Sequence, residues 1–296
     1  MALGALVLAV KLVSPRQVAW FLKNIVILIL FPILIFRNVI FHLKIEQVNL
    51  IFYTFFGAIM MVTLSYLVSF ISHYLGRGKT EKRSFILAGT FHNYGFTALP
   101  VMQSQLLPAM MPMAFTFIVT CDALFWALGG FIMRRRGAAF PLKQILSPPF
   151  LGLLVSVIVV VAGFSTEIPA TFIEALAWPA KVTLPLALFC IGATFYASFH
   201  DISEEEQSPF DRTSFSLLLI QRHLVIPIIW LAVSLSGVVH IELGKLFYIE
   251  AIMPSSIGIV ILSSLYHGDS RFIATFSVTS NLLSIATIAF FLYIRF

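Results

Sequence analysis

The sequence is poor in charge and in cysteine. Only 11% of its 296 residues are charged and 59% belong to the apolar set, whereas a soluble domain is near half apolar and a quarter charged. A single water-soluble core cannot absorb that surplus, so the surplus has to face lipid. The two cysteines, Cys121 and Cys190, lie far apart in apolar runs and suggest neither a disulfide framework nor a metal cluster. We therefore expect a polytopic protein of the lipid bilayer, without a cofactor or a bound metal.

Long soluble stretches are also missing. At about 28 residues for a span and its connection, the chain has room for roughly ten helices and no sizeable soluble domain. Apolar runs occur at about residues 1–13, 18–43, 50–74, 84–107, 110–133, 145–164, 172–199, 215–239, 246–266 and 272–296. All but the first are long enough to cross a bilayer. The first run has ten uncharged residues before Lys11, and we expect it to be the second half of a span whose start is missing or unusually short.

Cations are concentrated in alternate loops, and this predicts the topology. Arg77 and Lys79 belong to the third loop and Arg134 and Lys143 to the fifth, whereas the fourth and sixth loops carry no cation. The positive-inside bias therefore places the odd-numbered loops in the cytoplasm and both termini outside. Because these cations report topology, the net charge of +6 does not indicate nucleic-acid binding. We expect an integral protein of a bacterial inner (cytoplasmic) membrane.

The two halves of the chain show a weak internal repeat. Residues 117–124 of span five align with residues 276–283 of span ten, which places Asp122 opposite Asn281. Each half has five spans, so the two repeats must enter the membrane in opposite directions. Inverted repeats with interrupted helices in matching positions are typical of secondary transporters. We predict a first five-helix repeat over residues 1–133, a basic cytoplasmic loop over 134–144 and a second five-helix repeat over 145–296.

Spans four and nine each combine proline with small and polar residues. Span four has Asn93, Gly95 and Pro100 near its middle, and span nine has Pro254 and Gly258. Proline removes a backbone donor and crowds the preceding turn, so both helices are expected to break. Half-helix N-termini at such breaks carry free N–H groups and a positive dipole end, which suit a carboxylate. The alternative is a pair of proline kinks retained for packing, but their occurrence in both halves favours a binding site.

The residues around these breaks resemble a known family. Residues 93–100, Asn-Tyr-Gly-Phe-Thr-Ala-Leu-Pro, resemble the Asn-x-Gly-x-x-Gly-Leu-Pro motif of the auxin efflux carrier family of permeases. Residues 184–193, Leu-Pro-Leu-Ala-Leu-Phe-Cys-Ile-Gly-Ala, are similar to its Pro-Leu-Ala-Leu-x-x-Ile-Gly-Ala stretch. Further matching stretches lie at residues 147–150, 252–256 and 266–269. Two departures stand out: Ala98 replaces the second glycine of the motif, and the first span is shorter than in the family.

The resemblance implies both a fold and a function. It implies an all-α, polytopic membrane protein with about ten transmembrane helices in two inverted five-helix repeats. Helices four and nine would cross at their breaks, as in the similarly folded bile acid/sodium symporters. It also implies transport of a small organic anion, which is auxin for plant members and a small dicarboxylate such as malate or malonate for bacterial ones. The predicted substrate-binding residues are Asn93, Tyr94, Thr97, Pro100, Pro254, Ser255, Ser256 and Asn281.

Ionisable side chains inside the predicted spans are candidates for proton coupling, because such a group is costly in a bilayer. Asp122 lies in the middle of span five, Glu250 one turn before the proline of span nine, and His92 at the break of span four. Each has a structural alternative, since each could instead hydrogen-bond the interrupted backbone. Arg222 and His223, near the start of span eight, are predicted to be interfacial anchors.

The leading hypothesis is a secondary carrier, not an enzyme, that exposes a carboxylate site alternately to the two sides of the membrane and moves protons if transport is coupled. Sodium coupling is an alternative, but it calls for several oxygen ligands around one ion, and few such residues lie near the crossing. An intramembrane enzyme is another, although the sequence has no His-Glu-x-x-His pair of a metal hydrolase. A non-transporting sensor would typically carry a soluble signalling domain. The oligomeric state stays open, with a homodimer among the options.

Overall fold

The computed structural model of the chain describes residues 2–10, 12–76, 80–134, 146–204 and 211–295. The predicted basic loop over 134–144 lies outside these ranges except for Arg134, and so do the loop cations Lys11, Arg77 and Lys79. Within the described ranges the regular elements are helices, and six helices are long and apolar enough to cross a bilayer. The expectation of an all-α, polytopic membrane protein is confirmed at this level.

The helices are labelled here in chain order. They are α1 (Ala2–Ala9), α2 (Pro15–His42), α3 (Ile45–Gly76), α4 (Lys82–Thr90), α5 (Ala98–Gln105), α6 (Pro108–Met133), α7 (Pro148–Val161), α8 (Ala177–Glu204), α9 (Arg212–Leu235), α10 (Ile241–Ala251), α11 (Gly258–Leu265) and α12 (Ser270–Arg295). A short helix, Ala170–Ala175, precedes α8. The six long apolar helices are α2, α3, α6, α8 together with the short helix before it, α9 and α12. Helix α7 is a shorter apolar helix.

The first apolar run forms only the short helix α1, of eight residues. At 1.5 Å per residue its length is about 12 Å, which is too short to cross a bilayer. It packs along α8. A Cβ added at Gly4 would overlap the backbone carbonyl of Phe189, so glycine at this position is what allows the two backbones to approach so closely.

Local sequence signals set the starts of two long helices. At α2, the Ser14 hydroxyl accepts from the Gln17 N–H at 3.3 Å while the Gln17 side chain accepts from the Ser14 N–H at 2.9 Å. This capping box is followed by Pro15 at the first helical position, where its missing N–H has no intrahelical role. At α9, the Asp211 carboxylate accepts from the Ser214 N–H at 3.3 Å. These caps satisfy donors that a helix start otherwise leaves unpaired.

Many hydroxyl side chains inside the spans are satisfied within their own helices. Thr54, Ser69 and Thr120 donate to the carbonyl four residues earlier at 2.7, 2.6 and 2.7 Å. Such local bonds remove the cost of an unpaired hydroxyl where no water is present. These residues therefore need no functional explanation, in contrast to the hydroxyls at the interrupted helices described below.

The helices pack as two groups. In the first, called the α2 group, α1 and α2 pack against α8, and α2 packs against α7. In the second, called the α4 group, the helices α3 to α6 and α9 to α12 enclose an aromatic core. Its fully buried rings include those of Phe85, Phe91, Phe117 and Phe276. The two groups meet where α6 contacts α2 and α7, and where α12 contacts α8.

The predicted spans four and nine are interrupted. The segment predicted as span four contains α4, which ends at Thr90, and α5, which begins at Ala98. The segment predicted as span nine contains α10, which ends at Ala251, and α11, which begins at Gly258. Residues 91–97 are called the first break and residues 252–257 the second break. None of these four half-helices exceeds eleven residues, so none alone spans the hydrocarbon core.

Candidate functional site

The two breaks lie against each other and pair through their backbones. The Asn93 N–H donates to the Pro254 carbonyl at 2.7 Å, and the Ser256 N–H donates to the Phe91 carbonyl at 3.1 Å. These bonds form an isolated antiparallel bridge centred on His92 and Ser255. The pairing satisfies backbone groups that the interrupted helices leave free, which non-helical backbone at membrane depth requires. We call this junction of residues 91–97 and 252–257 the crossing.

Proline has a different position in the two interrupted spans. Pro254 lies within the second break, where no helical N–H is needed. Pro100 instead lies in the first turn of α5, where a missing N–H has little cost. Pro100 thus follows the first break rather than forming part of it.

Side chains of helix α12 form hydrogen bonds with the backbone of the second break. The Ser255 N–H donates to the Ser280 hydroxyl at 2.9 Å, and the Asn281 side-chain amide donates to the Ser255 carbonyl at 2.9 Å. The Ser277 hydroxyl donates to the Ser256 carbonyl at 3.2 Å. Three side chains on one face of α12 therefore replace the helical partners that the break has lost. Asn281, predicted to bind substrate, uses its amide on the backbone in this structure.

A cavity of about 250 Å³ lies beside the crossing. Its polar lining comes from Asn93, Tyr94, Asp122 and Ser256 in the α4 group, and from Thr194 in the α2 group. Apolar side chains complete it, among them Ile27, Phe31, Phe96, Phe125, Trp126 and Ile191. Amide, hydroxyl and carboxyl groups in an otherwise apolar cavity are typical of a small-molecule site. The cavity has walls from both helix groups.

The structure distributes the predicted site residues over three positions. Those that line the cavity are Asn93, Tyr94, Ser256 and the coupling candidate Asp122. Those outside its described lining are Thr97, Pro100, Pro254, Ser255 and Asn281, all of which lie in or next to the crossing. The remaining coupling candidates, His92 and Glu250, lie next to each other and outside the described lining.

His92 and Glu250 form a fully buried pair. The His92 Nε2 lies 3.5 Å from a carboxyl oxygen of Glu250, and both side chains are 0% exposed. Neither oxygen of that carboxyl has a hydrogen-bond partner among the described residues. The pair joins the first break to α10, and the His92 ring meets the Tyr94 ring edge-on with centroids 5.8 Å apart. Through Tyr94 it adjoins the cavity wall.

The prediction that Arg222 and His223 are interfacial anchors is wrong. Arg222 is 0% exposed and His223 is 7% exposed, because α9 turns both side chains toward the crossing. The sequence did carry a signal for them, since a cation within an apolar span is a functional candidate by default. Thr194 carried no such signal, since it is an uncharged residue. In the structure its hydroxyl donates to the Cys190 carbonyl four residues earlier, as helical threonines commonly do.

A polar cluster outside the long apolar helices holds the start of α4. Glu81 accepts a hydrogen bond from the Ser84 hydroxyl at 2.7 Å and pairs with Arg83, whose guanidinium also donates to the Met133 carbonyl at 2.8 Å. Burial by itself would raise the pKa of Glu81, but the hydrogen bonds from Ser84 and Arg83 outweigh it and hold that pKa below its usual value. The cluster ties the first half of span four to the end of α6.

Comparison with known proteins gives a match to a family. A family model with the description "Membrane transport protein" matches residues 138–292, slightly more than half of the chain. The matched region covers α7 to α11, most of α12 and the second break. No curated protein matches the chain.

Proposed function

The chain belongs to the auxin efflux carrier family of membrane transport proteins, and from this membership we propose that it carries a small organic anion across the membrane by alternating access. The family is one of transporters, which points away from an enzyme. The observation that carries the proposal is the cavity beside the crossing, with walls from two helix groups. A site in that position changes its access when one group moves against the other.

The architecture we propose is ten spans in two inverted five-helix repeats. The six long helices, the shorter α7 and α1 would be complete or partial spans. The two interrupted pairs, α4 with α5 and α10 with α11, would be spans four and nine. Interruptions at corresponding positions in the two halves, paired through their backbones, support this arrangement. The termini would lie outside the cytoplasm of a bacterial cell, as the loop cations predict.

The proposed substrate is a carboxylate. Helix α11 starts at the cavity wall, since Ile257 and Gly258 are both lining residues. The Gly258 N–H donates to the Ser256 hydroxyl at 3.1 Å, so this helix start offers chiefly the positive end of its dipole, which favours an anionic group. Asn93 has its backbone N–H bonded to Pro254, so its side-chain amide is the part that can donate to the substrate. Tyr94 and Ser256 would add hydroxyl groups.

Asp122 lines the cavity, so its carboxyl group would have to be protonated when an anionic substrate binds there. A carboxylate substrate and an ionised Asp122 in one apolar cavity would repel each other. Binding together with a proton removes this repulsion, so Asp122 is the first candidate for coupling. The buried pair of His92 and Glu250 is the second, because it contacts the crossing without lining the cavity.

Flux into reconstituted vesicles tests the proposal. Labelled malate, malonate and indole acetate would be offered with and without an imposed pH gradient. We expect saturable uptake of at least one of them and its loss in Asn93→Ala. The matched control is Asn38→Ala, because the Asn38 amide donates to the Leu34 carbonyl of its own helix and Asn38 lies outside the described cavity lining.

Two outcomes would contradict the proposal. One is the absence of carboxylate flux from folded protein. The other is undiminished flux in an Asn93→Ala variant that inserts normally, which would remove the crossing as the site. Loss of flux in both Asn93→Ala and Asn38→Ala would indicate a general effect of removing an amide.

A further inference from the structure

Helix α9 carries three consecutive polar residues in the membrane: Gln221, Arg222 and His223. All three side chains are buried, with exposed fractions of 2%, 0% and 7%. They open a π-helical segment, Gln221–Val225. A π segment widens the helix locally, and such segments occur frequently at functional sites. In this segment the adjacent residues Arg222 and His223 have two different hydrogen-bond partners.

The first partner is the end of α4. An Arg222 guanidinium nitrogen donates to the Gly89 carbonyl at 2.6 Å, and the Gln221 amide donates to the same carbonyl at 3.2 Å. Gly89 is the penultimate residue of α4, directly before the first break. Carbonyls at a helix end have no intrahelical donor, and a cation is favourable there because of the helix dipole. Arg222 and Gln221 therefore close the helix where the first break starts.

The second partner is the second break, reached through Ser280. The Ser280 oxygen already accepts the Ser255 N–H at 2.9 Å, and it also lies 2.9 Å from His223 Nε2. If the Ser280 proton is donated to His223, Nε2 is the unprotonated nitrogen of the ring. The other nitrogen, Nδ1, then carries the proton and faces the Thr287 hydroxyl at 3.1 Å. All these groups then form one consistent chain of donors and acceptors.

We propose that Arg222 and His223 are positioning residues that brace the two breaks from a single helix. Arg222 holds the end of the first half of span four, and His223, through Ser280, holds the backbone of the second break. Neither residue lines the cavity. They act on binding through the geometry of Asn93 and Ser256, which the crossing sets. The consequence for transport rests on the proposed function, whereas the brace itself does not.

Hydrogen–deuterium exchange of the purified protein tests the brace without any substrate. Ser280→Ala removes the oxygen that accepts the Ser255 N–H, and His223→Leu removes the ring nitrogen that accepts the Ser280 proton. Both are expected to speed exchange of the backbone amides of residues 252, 253 and 255–257 by about tenfold. His223→Gln can still accept from Ser280 and is expected to restore slow exchange. Arg222→Met is expected to act mainly on residues 89–97. The matched control is Ser156→Ala, which removes a buried hydroxyl that donates to carbonyls of its own helix, α7.

Unchanged exchange at both breaks in Ser280→Ala and His223→Leu would overturn the brace, and so would equal exchange in His223→Gln and His223→Leu. If His223→Leu does not fold, Ser280→Ala decides alone. A double-mutant cycle adds a second criterion. Ser280→Ala and His223→Leu act on one chain of bonds, so their effects on exchange should be clearly less than additive.

Transport kinetics with labelled malonate, malate and indole acetate give a separate readout. In Ser280→Ala we expect the KM of the transported probe to rise by about tenfold, with maximal rate per folded protein nearly retained. A merely structural defect would lower the maximal rate through a smaller folded fraction and leave KM unchanged, and that result would contradict a positioning role. If the unmodified protein carries none of the three probes, the proposed function fails, and the exchange experiment still decides the brace.

Discussion

At the scale of single residues, backbone and side chain have separate tasks at the crossing. The Asn93 N–H is used on Pro254, which leaves its amide for the cavity. Asn281 shows the reverse, because its amide serves the Ser255 carbonyl and the adjacent helical carbonyl of Ser277. At Asn93 the backbone N–H supports the second break, whereas at Asn281 the side-chain amide does. Asp122, opposite Asn281 in the internal repeat, lines the cavity.

Asp122→Asn tests the coupling role of this carboxyl group. The amide keeps the size of the side chain but cannot carry a proton, so uptake of malonate should continue down its own gradient and no longer respond to pH. One pH unit across the membrane corresponds to 1.4 kcal/mol, or up to about tenfold stimulation of a coupled carrier. Vesicle uptake with and without that gradient measures the effect. Glu250→Gln, compared in the same assay, decides between the two candidates, and retained stimulation in Asp122→Asn excludes Asp122.

The two glycines beside the cavity are expected to differ in tolerance. A Cβ at Gly258 would lie 3.1 Å from the Phe125 ring, whereas a Cβ at Gly95 would meet nothing within 4 Å. Overpacking at such a contact costs about 1–3 kcal/mol. Gly258→Ala should therefore raise the KM for the transported anion several-fold more than Gly95→Ala. Equal KM values in the two variants would show that the Phe125 contact does not limit the site.

At the scale of elements, an interrupted helix depends on other helices for the backbone hydrogen-bond partners that it lacks at the break. The second break takes its partners from α12, and α4 is closed at its end by α9. The other end of α4 is held by Glu81 and its cluster. Each half-helix is too short to be stable by itself, so these side chains decide where it begins and ends.

Glu81→Gln is expected to lower stability in a pH-dependent way. The pKa of Glu81 is below its usual value of 4.5 in the folded protein, so its ionised form stabilises the fold above that pH, and the contribution is lost as the pH falls through the folded-state pKa. Because the carboxyl group is partly exposed, we expect a melting temperature lower by only about 1–3 °C at pH 7. The difference should shrink below about pH 4.5. Glu174→Gln, at an exposed carboxyl on the turn before α8, is the control, and a difference independent of pH would contradict this account.

At the scale of the whole molecule, the position of the cavity suggests that the α2 and α4 groups are the moving units. Phe31 of α2 and Phe96 of the first break both line the cavity, and their rings are in contact, with centroids 5.0 Å apart. Relative movement of the groups must change this distance. Movement of one group against the other does not change the distance between two rings on the same helix. Phe70 and Tyr74 of α3, with ring centroids 4.9 Å apart, are such a pair.

A reversible thiol cross-link between the groups should stop transport. Phe31→Cys with Phe96→Cys, in a background without the natural cysteines, would be joined by a short cleavable linker. Net flux should fall by more than tenfold relative to the same variant before cross-linking, and it should return when the linker is cleaved. The control link joins Phe70→Cys with Tyr74→Cys. Full flux through the cross-linked first pair would rule out movement between these groups.

Several features follow from the sequence because they depend on the composition of single segments. Partition into a bilayer is nearly additive over the residues of a span, so the membrane class was predictable and is confirmed. The family was recognisable from residues 93–100, 184–193 and similar stretches, and the family match confirms it. The interruptions lie close to the prolines and glycines of spans four and nine, since backbone restrictions act locally.

The partners of each break were decided only by the tertiary structure. Nothing local to Ser280 or Arg222 indicates which distant carbonyl or amide it contacts, because that depends on how α12 and α9 pack against the crossing. The same holds for Thr194, an ordinary helical threonine that packing between the two groups brings to the cavity. The sequence by itself determined the bilayer as solvent and which two predicted spans are interrupted. Packing decided which polar groups face the cavity and which support the interrupted backbone, because in a membrane an unpaired group must find its partner on another helix.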